Sequence, residues 1–452
     1  MQRLFKIQLL VCSFVPVLVL TSNSYADSLE LKGGNGIGVA FMKKQELQKN
    51  VGDRWVPNEP DVLLRNLAKY DIIWGAQRIP KEAGIQNWRL LRQQNPKKLT
   101  LYYTCGATAR LGHDRKKSGH LDYDYINIYH PEWFLLSDCL SSVRSDPRIL
   151  DNRIRWVAAK KGGELYNRFY LDIGNKEFQK WAVQQFLECV TGKVDNLKIP
   201  FDGLGMDNAN VGIQNYSNIT SQNPRWKYAG RFEDWNKDFC DYLKVVKKTL
   251  NEHGFILVVN HDLDRKFGVS QQHWDRLCES VDGLMTEQSL RHGWGDTPYF
   301  AGSQWLAAMT RHKEILDKDL IYWWLCYPPG EGEKGHENFL YSYCSWLLIK
   351  KPGKSFYYAT RGKGLSSQNV PWYSEYDLPI GKPTSDMYLQ NQCWLRDYEN
   401  ARVVVNPTNR VQKVIVDKGK LWLDWTSKKS VSWLELPAQS GRILLPTPYK
   451  AK

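Results

Sequence analysis

Residues 201–207 read Phe201-Asp202-Gly203-Leu204-Gly205-Met206-Asp207, an apolar run with an acidic residue near each end. Residues 281–287 repeat this arrangement as Val281-Asp282-Gly283-Leu284-Met285-Thr286-Glu287. A short apolar run of this kind predicts a buried β-strand. Its last residue, Asp207 or Glu287, then lies where the strand leaves the core, whereas the early acid shapes the opposite end. We therefore expect structural roles for Asp202 and Asp282.

The rest of the central chain continues this pattern. Short β-rich runs alternate with amphipathic helical stretches from Gly38 to Ala359, which is typical of βα units that close a parallel sheet. This alternation predicts a (β/α)8 TIM barrel with acidic residues at the carboxyl ends of its strands. The predicted strands cover residues 37–41, 71–75, 99–104, 201–206, 255–260, 283–287, 320–325 and 355–358.

The two ends of the chain differ from this centre. Residues 1–26 combine basic residues, an apolar run and a small-residue end at Ala26, the order of a secretory signal peptide. After Gly381 short alternating strands predict a small antiparallel β-sandwich that caps the barrel. We therefore expect a signal peptide (1–26), a catalytic barrel (27–380) and a C-terminal β domain (381–452). The protein is then secreted or periplasmic, without stable membrane insertion after cleavage.

The amino-acid composition indicates which kind of molecule the protein binds. The 452 residues carry a formal charge of +14, but the basic residues are spread along the chain and form no nucleic-acid motif. The 19 Trp and 24 Tyr residues favour sugar binding, because flat rings stack on sugars, although core packing also uses aromatics. Beyond Cys12, eight cysteines allow either disulfides or buried thiols. A polysaccharide or oligosaccharide is the partner that we expect.

Two strand-end acids suit the cleavage of a glycosidic bond. One carboxyl group must protonate the leaving oxygen, and a second must attack the anomeric carbon or activate water. Asp207 and Glu287 are the predicted catalytic pair. Asp262, which follows strand five in the stretch Asn260-His261-Asp262, is the alternative proton donor. Asn260 and His261 in this stretch either bind substrate hydroxyls or brace Asp207.

Further polar and aromatic residues near the predicted strand ends are candidate substrate contacts. Burial is the more frequent fate of any one aromatic residue, since alternation sends half of the side chains of a strand into the core. The loop acids and histidines from His113 to Asp138 match no metal-ligand spacing, so neither a metal nor a cofactor is expected. The predicted substrate-binding residues are Trp74, Tyr103, Asn208, Asn260, Asp262, Trp324 and Arg361.

Four stretches together resemble a known family. They are Leu171-Asp172-Ile173-Gly174-Asn175, residues 201–208, His130-Pro131-Glu132-Trp133-Phe134 and Arg402-Val403-Val404-Val405-Asn406-Pro407. This combination resembles the hypothetical glycoside hydrolase family 15, which is similar to the α-galactosidase superfamily and to the endo-α-1,4-polygalactosaminidases. The resemblance covers residues 36 to 446.

The resemblance implies roles for the two strand-end acids. It makes the strand-four acid, Asp207, the nucleophile and the strand-six acid, Glu287, the proton donor. Several relatives carry Asp at the second position, so this chain departs from them there. The expected activity is hydrolysis of an α-linked extracellular polysaccharide with retention of configuration. A barrel that only binds glycans and a transglycosidase with the same acids are the alternatives.

Overall fold

The computed structural model of the protein describes most of the barrel and of the C-terminal region. The described residues are 36–40, 48–51, 54–57, 67–111, 120–143, 146–157, 165–194, 196–197, 199–209, 227–228, 231–261, 270–287, 289–291, 297–359, 372–417 and 419–447. The predicted signal peptide lies outside them. No helix among these residues is long and apolar enough to cross a membrane.

A ring of parallel strands forms the centre of the fold. Each strand pairs in parallel with the next one along the chain. A parallel bridge between Ile37 and Tyr357 joins the last strand to the first. The prediction of a TIM barrel is confirmed. Its strands are β1 (Gly38–Ala40), β2 (Ile72–Trp74), β3 (Leu99–Arg110), β4 (Gly203–Asp207), β5 (Ile256–Asn260), β6 (Gly283–Glu287), β7 (Ile321–Cys326) and β8 (Ser355–Ala359).

Helices connect these strands and cover the ring. The N-terminus of the helix before β4 shows how the sequence starts one, because the Asn175 side chain accepts hydrogen bonds from the backbone N–H groups of Glu177 and Phe178. The helices are α1 (Arg78–Ala83), α2 (Ile85–Gln94), α3 (Tyr123–Tyr129), α4 (Lys176–Val190), α5 (Phe232–Glu252), α6 (Gln271–Glu279), α7 (Gly302–Asp317) and α8 (Gly332–Ile349), with 3-10 turns at Pro131–Trp133 and Ser374–Asp377.

Two tryptophans fill the inside of the barrel. Trp74 and Trp323 are fully buried and meet edge to face, with ring centroids 5.7 Å apart. Glycines on the facing strands make room for them, because a Cβ on Gly205 would lie 2.9 Å from the Trp74 ring and one on Gly38 would lie 2.8 Å from Trp323. The barrel is thus a packed core, and a site can form only at its ends.

Three aspartates fasten the amino ends of the strands. Asp71, Asp202 and Asp282 immediately precede β2, β4 and β6, and each accepts a backbone N–H at the start of the preceding barrel strand. Asp202 also accepts hydrogen bonds from the two terminal guanidinium nitrogens of Arg92, each at 2.7 Å. The structural roles expected for Asp202 and Asp282 agree with these contacts, which lie at the end of the barrel opposite Asp207.

Strand β3 is longer than predicted, because its outer half leaves the barrel. Residues Thr108, Ala109 and Arg110 pair antiparallel with the segment Leu165–Tyr170. The long insertion between β3 and β4 therefore adds strands to the outer half of β3, which the alternation of the barrel does not predict. Its remaining strands are His120–Leu121, Leu136–Val143, Asp146–Arg153 and Arg155–Val157, and a separate hairpin pairs Gln48–Val51 with Arg54–Pro57.

The C-terminal region is an antiparallel sandwich, as predicted. A six-stranded sheet has the order β9-β10-β11-β16-β13-β14, and β12 pairs with β15. Apolar side chains from both sheets, including Val404, Val414 and Leu436, form a second core between them. The strands are β9 (Tyr388–Gln390), β10 (Cys393–Tyr398), β11 (Ala401–Asn406), β12 (Gln412–Ile415), β13 (Trp422–Asp424), β14 (Lys429–Val431), β15 (Trp433–Leu436) and β16 (Ser440–Pro446).

The sandwich packs on the last barrel helix. Arg396 of β10 donates hydrogen bonds to the carbonyls of Leu347, Leu348 and Lys350 at the end of α8, where the helix carbonyls lack the usual N–H four residues further on. Tyr398 adds a bond of 2.6 Å to Leu347. These contacts fit the expected capping role of the C-terminal domain.

The cysteines contribute to packing. Seven of them, which are all those whose side chains the structure describes, are buried free thiols: Cys105, Cys189, Cys240, Cys278, Cys326, Cys344 and Cys393. Of the two alternatives for this set, the structure shows thiols rather than disulfides.

Candidate active site

Three neighbouring strands end at the same level of the barrel. Along β4, β5 and β6 every residue is buried except the last, which is partly open to solvent. These last residues are Asp207, Asn260 and Glu287. Because carboxyl ends of parallel strands meet at one face, two acids and an amide lie side by side at the mouth of the barrel.

The amide of Asn260 connects the two acids. Its Nδ2 atom lies 2.8 Å from Oδ1 of Asp207 and 3.0 Å from Oε1 of Glu287. An amide nitrogen carries two hydrogens, so it can donate one to each carboxyl group. The structure therefore brings together the two acids that the sequence predicts, through a residue that was itself predicted to bind substrate.

Asp207 accepts three further hydrogen bonds. The Tyr103 hydroxyl donates to Oδ2 at 2.9 Å, and Asn208 donates to Oδ1 through its backbone and to Oδ2 through its side chain. Together with Asn260, these donors occupy both oxygens. Hydrogen bonds of this kind stabilise the negative charge of a carboxylate.

Asn208 has an uncommon backbone conformation. Its φ is +55°, in the left-handed region that non-glycine residues seldom adopt. This conformation folds the Asn208 amide back onto the neighbouring Asp207. Residues held in such conformations concentrate at active sites, where the surrounding structure fixes them.

Buried groups surround Asp207 on the side of β3. Burial raises the pKa of the Tyr103 phenol well above its usual value, so the hydroxyl keeps its proton and acts as a donor. Burial also raises the pKa of the Cys105 thiol, which lies 3.3 Å from that hydroxyl. Burial lowers the pKa of Arg168, but the acidic groups around it, among them the Asp207 carboxylate, raise it by more, so the guanidinium stays charged.

Cys105 and Arg168 were not predicted as site residues. The sequence carries a signal for Cys105, since alternation places it on the same face of β3 as Tyr103. It carries none for Arg168, because this residue enters the site from the Leu165–Tyr170 segment, whose pairing with β3 has no counterpart in the barrel pattern.

Two predicted aromatic contacts lie away from the acids. Trp74 fills the barrel interior and is fully buried. Trp324 points outward from β7, with its indole N–H donating to Ser342 of α8 and its ring against His312 of α7. Neither ring is exposed, so neither can stack on a sugar in this conformation. Their assignment as substrate contacts stays a prediction, and their burial argues against it.

The remaining predicted contacts, Asp262 and Arg361, lie outside the described residues. Two side chains from the loop acids and histidines between His113 and Asp138 make structural contacts rather than metal contacts. Asp122 caps α3 by accepting the Tyr125 backbone N–H, and His130 pairs with Glu132 at 3.1 Å. Among the described residues no group of three or more His, Cys, Asp or Glu side chains is arranged to hold a metal.

A cavity also lies at the opposite end of the barrel, lined by residues such as Leu99 and Ile256 at strand starts. Its charged residues form ion pairs, with Lys247 3.5 Å from Asp282 and Lys354 2.9 Å from Asp319. It contains none of the strand-end residues that meet around Asn260. Its residues hold the barrel together and provide no pair of open carboxyl groups.

Comparisons with known proteins identify the family. The sequence profile of the hypothetical glycosyl hydrolase family 15 matches residues 92–402, which is more than half of the chain. This range contains Tyr103, Asp207, Asn260 and Glu287. No curated protein matches the chain.

Solved structures of sugar-processing proteins are similar at low identity. An inactive double mutant of MutB in complex with isomaltulose is 9% identical with a TM-score of 0.46, and the match covers 91% of this chain and 98% of that one. A GH36 α-galactosidase from Geobacillus stearothermophilus with 1-deoxygalactonojirimycin is 10% identical with a TM-score of 0.31, covering 94% and 53%. The profile match, over most of the barrel, shows that the chain belongs to the hypothetical glycosyl hydrolase family 15 and is a glycoside hydrolase.

Proposed function

We propose that this protein is an exported hydrolase of an α-linked polysaccharide or oligosaccharide, with Asp207 as nucleophile and Glu287 as general acid and base. The observation that carries the proposal is the shared amide of Asn260, which lies within hydrogen-bonding distance of both carboxyl groups. The α linkage follows from the resemblance to α-galactosidases, and export follows from the signal-like composition of residues 1–26.

The spacing of the two carboxyl groups supports a retaining mechanism. Since one nitrogen lies 2.8 and 3.0 Å from them, Asp207 Oδ1 and Glu287 Oε1 are less than about 6 Å apart. Retaining glycosidases need carboxyl groups about 5 to 5.5 Å apart, whereas inverting ones leave about 6.5 to 9.5 Å for a water molecule. The short distance between these two oxygens therefore favours a retaining mechanism over an inverting one.

The chemistry then has two steps. In the first, an Asp207 oxygen forms a bond to the anomeric carbon while Glu287 gives its proton to the departing glycosidic oxygen, and a glycosyl ester results. In the second, Glu287 takes a proton from water, whose oxygen attacks the anomeric carbon and releases Asp207. Each residue ends as it began, and the reaction uses only water besides the glycan.

The four donors around Asp207 suit the nucleophile. They hold the carboxylate in a fixed orientation and stabilise its charge before the substrate arrives. One donor must give way when an oxygen attacks, because a carboxylate has about four acceptor positions. The Asn208 side chain is a suitable donor to leave, since its backbone N–H keeps a second bond to Asp207.

The proposal is tested on mature protein with a panel of extracellular polysaccharides, with mass spectrometry to detect the products. Asp207→Asn and Glu287→Gln are compared with the control Asp282→Asn, which alters an acid at the opposite end of the barrel. We expect wild type and control to release oligosaccharides and both site variants to lose at least about a thousandfold in rate. NMR of the first product should show the α anomer.

Three results would contradict the proposal in different ways. Undiminished activity of Asp207→Asn would remove the assigned site. Products longer than the substrate would indicate a transglycosidase. Glycan binding without products, in wild type as in the variants, would indicate a barrel that only binds.

A further inference from the structure

Asn260 has a position that neither catalytic role explains. It ends β5, between the strand that carries Asp207 and the strand that carries Glu287. Its backbone carbonyl accepts the Ala209 N–H at 3.1 Å, and the backbone N–H of the next residue, His261, donates to the Met285 carbonyl at 2.9 Å. The backbone at Asn260 is therefore held from both sides, which fixes the point from which its side-chain amide extends.

The orientation of this amide follows from its partners. An ionised carboxyl oxygen only accepts hydrogen bonds, so the Nδ2 group rather than the amide oxygen must face Asp207. The same nitrogen faces Oε1 of Glu287 at 3.0 Å, which makes Oε1 an acceptor as well. A proton carried by Glu287 therefore belongs on its other oxygen, Oε2.

We infer that Asn260 is a positioning residue which fixes the separation of the two carboxyl groups and keeps the exchangeable proton of Glu287 on Oε2. This inference rests on the proposed function and names a device within it. A neutral donor suits the task, because two carboxyl groups this close repel each other and must hold different numbers of protons. An amide bonds to both without adding a charge that would remove the proton from Glu287.

Other groups around the pair act on the same equilibrium and must be held constant. On the described elements packed against it, these include Tyr103 and Cys105 from β3, Arg168 from the neighbouring segment and the buried His261 next to Asn260. Asn260 bridges the two carboxyl groups, with Nδ2 2.8 Å from Asp207 and 3.0 Å from Glu287, whereas the Tyr103 hydroxyl donates to Asp207. Changing Asn260 alone therefore isolates the bridge.

The experiment compares Asn260→Ala and Asn260→Asp with Asn251→Ala on the glycan that wild type cleaves. Asn251 is a matched control, because its amide donates to Asp282 and to the Phe255 carbonyl at the opposite end of β5, each at 2.9 Å. We expect both Asn260 variants to lose about tenfold to a hundredfold in kcat with little change in KM. Asn251→Ala should lose stability only.

The pH profile of kcat/KM separates positioning from a structural role. Without the donor, the negative charge of the pair is less well stabilised, so both limbs should move to higher pH by about half to one unit. Asn260→Asp keeps the shape and adds a negative charge, so its shift should be larger. If the Asn260 variants kept the wild-type pH profile and had only a lower melting temperature, as expected for Asn251→Ala, the inference would be overturned.

A second readout needs no substrate. NMR of protein with 13C-labelled Glu carboxyl groups follows the titration of Glu287. Its signal is identified as the one that disappears in Glu287→Gln. We expect its midpoint to move upward in Asn260→Ala and to stay unchanged in Asn251→Ala. An unchanged midpoint in Asn260→Ala would refute the positioning role of Asn260, whether or not wild type cleaves a glycan. A wild type that cleaves no glycan would refute the proposed function and leave this readout intact.

Discussion

The Tyr103 hydroxyl donates a hydrogen bond of 2.9 Å to Oδ2 of Asp207, from one strand to the next. The register explains the contact, because Tyr103 lies opposite Gly205, two residues before Asp207. Gln77 fixes the backbone at this point, accepting the Tyr103 N–H and donating to its carbonyl. Tyr103 is therefore held as a donor to the proposed nucleophile.

Replacing Tyr103 with Phe should slow the chemical step. The ring still fills its place, so the fold should persist, but Asp207 loses one of the donors to Oδ2. We expect kcat to fall about tenfold with KM nearly constant, and the acid limb of the pH profile to move upward. Steady-state kinetics from pH 4 to pH 9 would measure both. Tyr102→Phe, on the opposite face of β3, is the control and should leave the pH profile unchanged. If the profile of Tyr103→Phe equalled that of wild type, the hydrogen bond from Tyr103 to Asp207 would have no catalytic effect.

Adding one methyl group at Gly205 should disturb the barrel and the site together. A Cβ there would lie 2.9 Å from the Trp74 ring, too close for either to stay in place. Gly205→Ala should therefore lower the free energy of unfolding by about 1 to 3 kcal/mol and reduce kcat, because Asp207 lies two residues further on. Urea unfolding followed by tryptophan fluorescence would measure the first effect. Trp74→Phe in the same chain should restore part of the loss, and an additive double variant would contradict this packing.

The helix cap at Arg396 should couple the sandwich to the barrel. The guanidinium bonds to three carbonyls at the end of α8. Arg396→Ala should lower the free energy of unfolding by about 2 kcal/mol and leave kcat unchanged, since these contacts are distant from the strand-end acids. The exposed Arg410→Ala is the control. If both variants unfolded at the same urea concentration, the cap would add no stability.

Much of the barrel could be predicted because its pattern is local. The segments around Gly203–Asp207 and Gly283–Glu287 are short apolar runs between helices, so each can be recognised without knowing its neighbours. The two terminal acids then follow from the common direction of parallel strands. The exception is the outer half of β3, where pairing with Leu165–Tyr170 sets the strand length. That pairing is non-local and leaves no periodic trace.

The orientation of single aromatic residues was harder to predict. Trp323 and Trp324 are adjacent on β7, so one must point into the barrel and the other toward the helices. The direction of each side chain depends on the register of β7, in which Trp323 pairs with Met285 and Trp324 with Thr286. Trp323 points into the barrel, where it meets Trp74. Both are buried, and Trp324 lies on the helix side. The composition that favours sugar binding thus largely reflects the barrel core.

The Asn260 bridge depends on side-chain geometry, which sequence does not contain. The strand-end stretch Asn260-His261 allowed either a substrate contact or a brace for Asp207. The hydrogen bonds to Asp207 and Glu287 favour the brace. Arg168 has no sequence signal for a further reason, since it reaches the barrel mouth through the non-local pairing of its segment with β3.

The buried His312 should make the folded protein less stable in mild acid. Its Nε2 lies 2.9 Å from the Ser289 carbonyl and its Nδ1 lies 2.6 Å from the Tyr322 hydroxyl, so the neutral ring donates once and accepts once. Burial lowers the pKa of His312 to about 4, from the usual 6.5. Between these two values the unfolded chain binds a proton that the folded chain does not. The free energy of unfolding should therefore fall as pH falls from 6.5 towards 4.

At pH 5 this loss should amount to about 2 kcal/mol from His312 alone. His312→Gln keeps a donor for the Ser289 carbonyl and an acceptor for Tyr322 but cannot titrate. Urea unfolding at pH 7 and pH 5 should therefore show a smaller drop in stability for His312→Gln than for wild type, whatever its stability at pH 7. His253→Gln, at an exposed site, should keep the wild-type drop. An equal drop in all three proteins would mean that His312 is protonated in the folded state or that other groups govern acid unfolding.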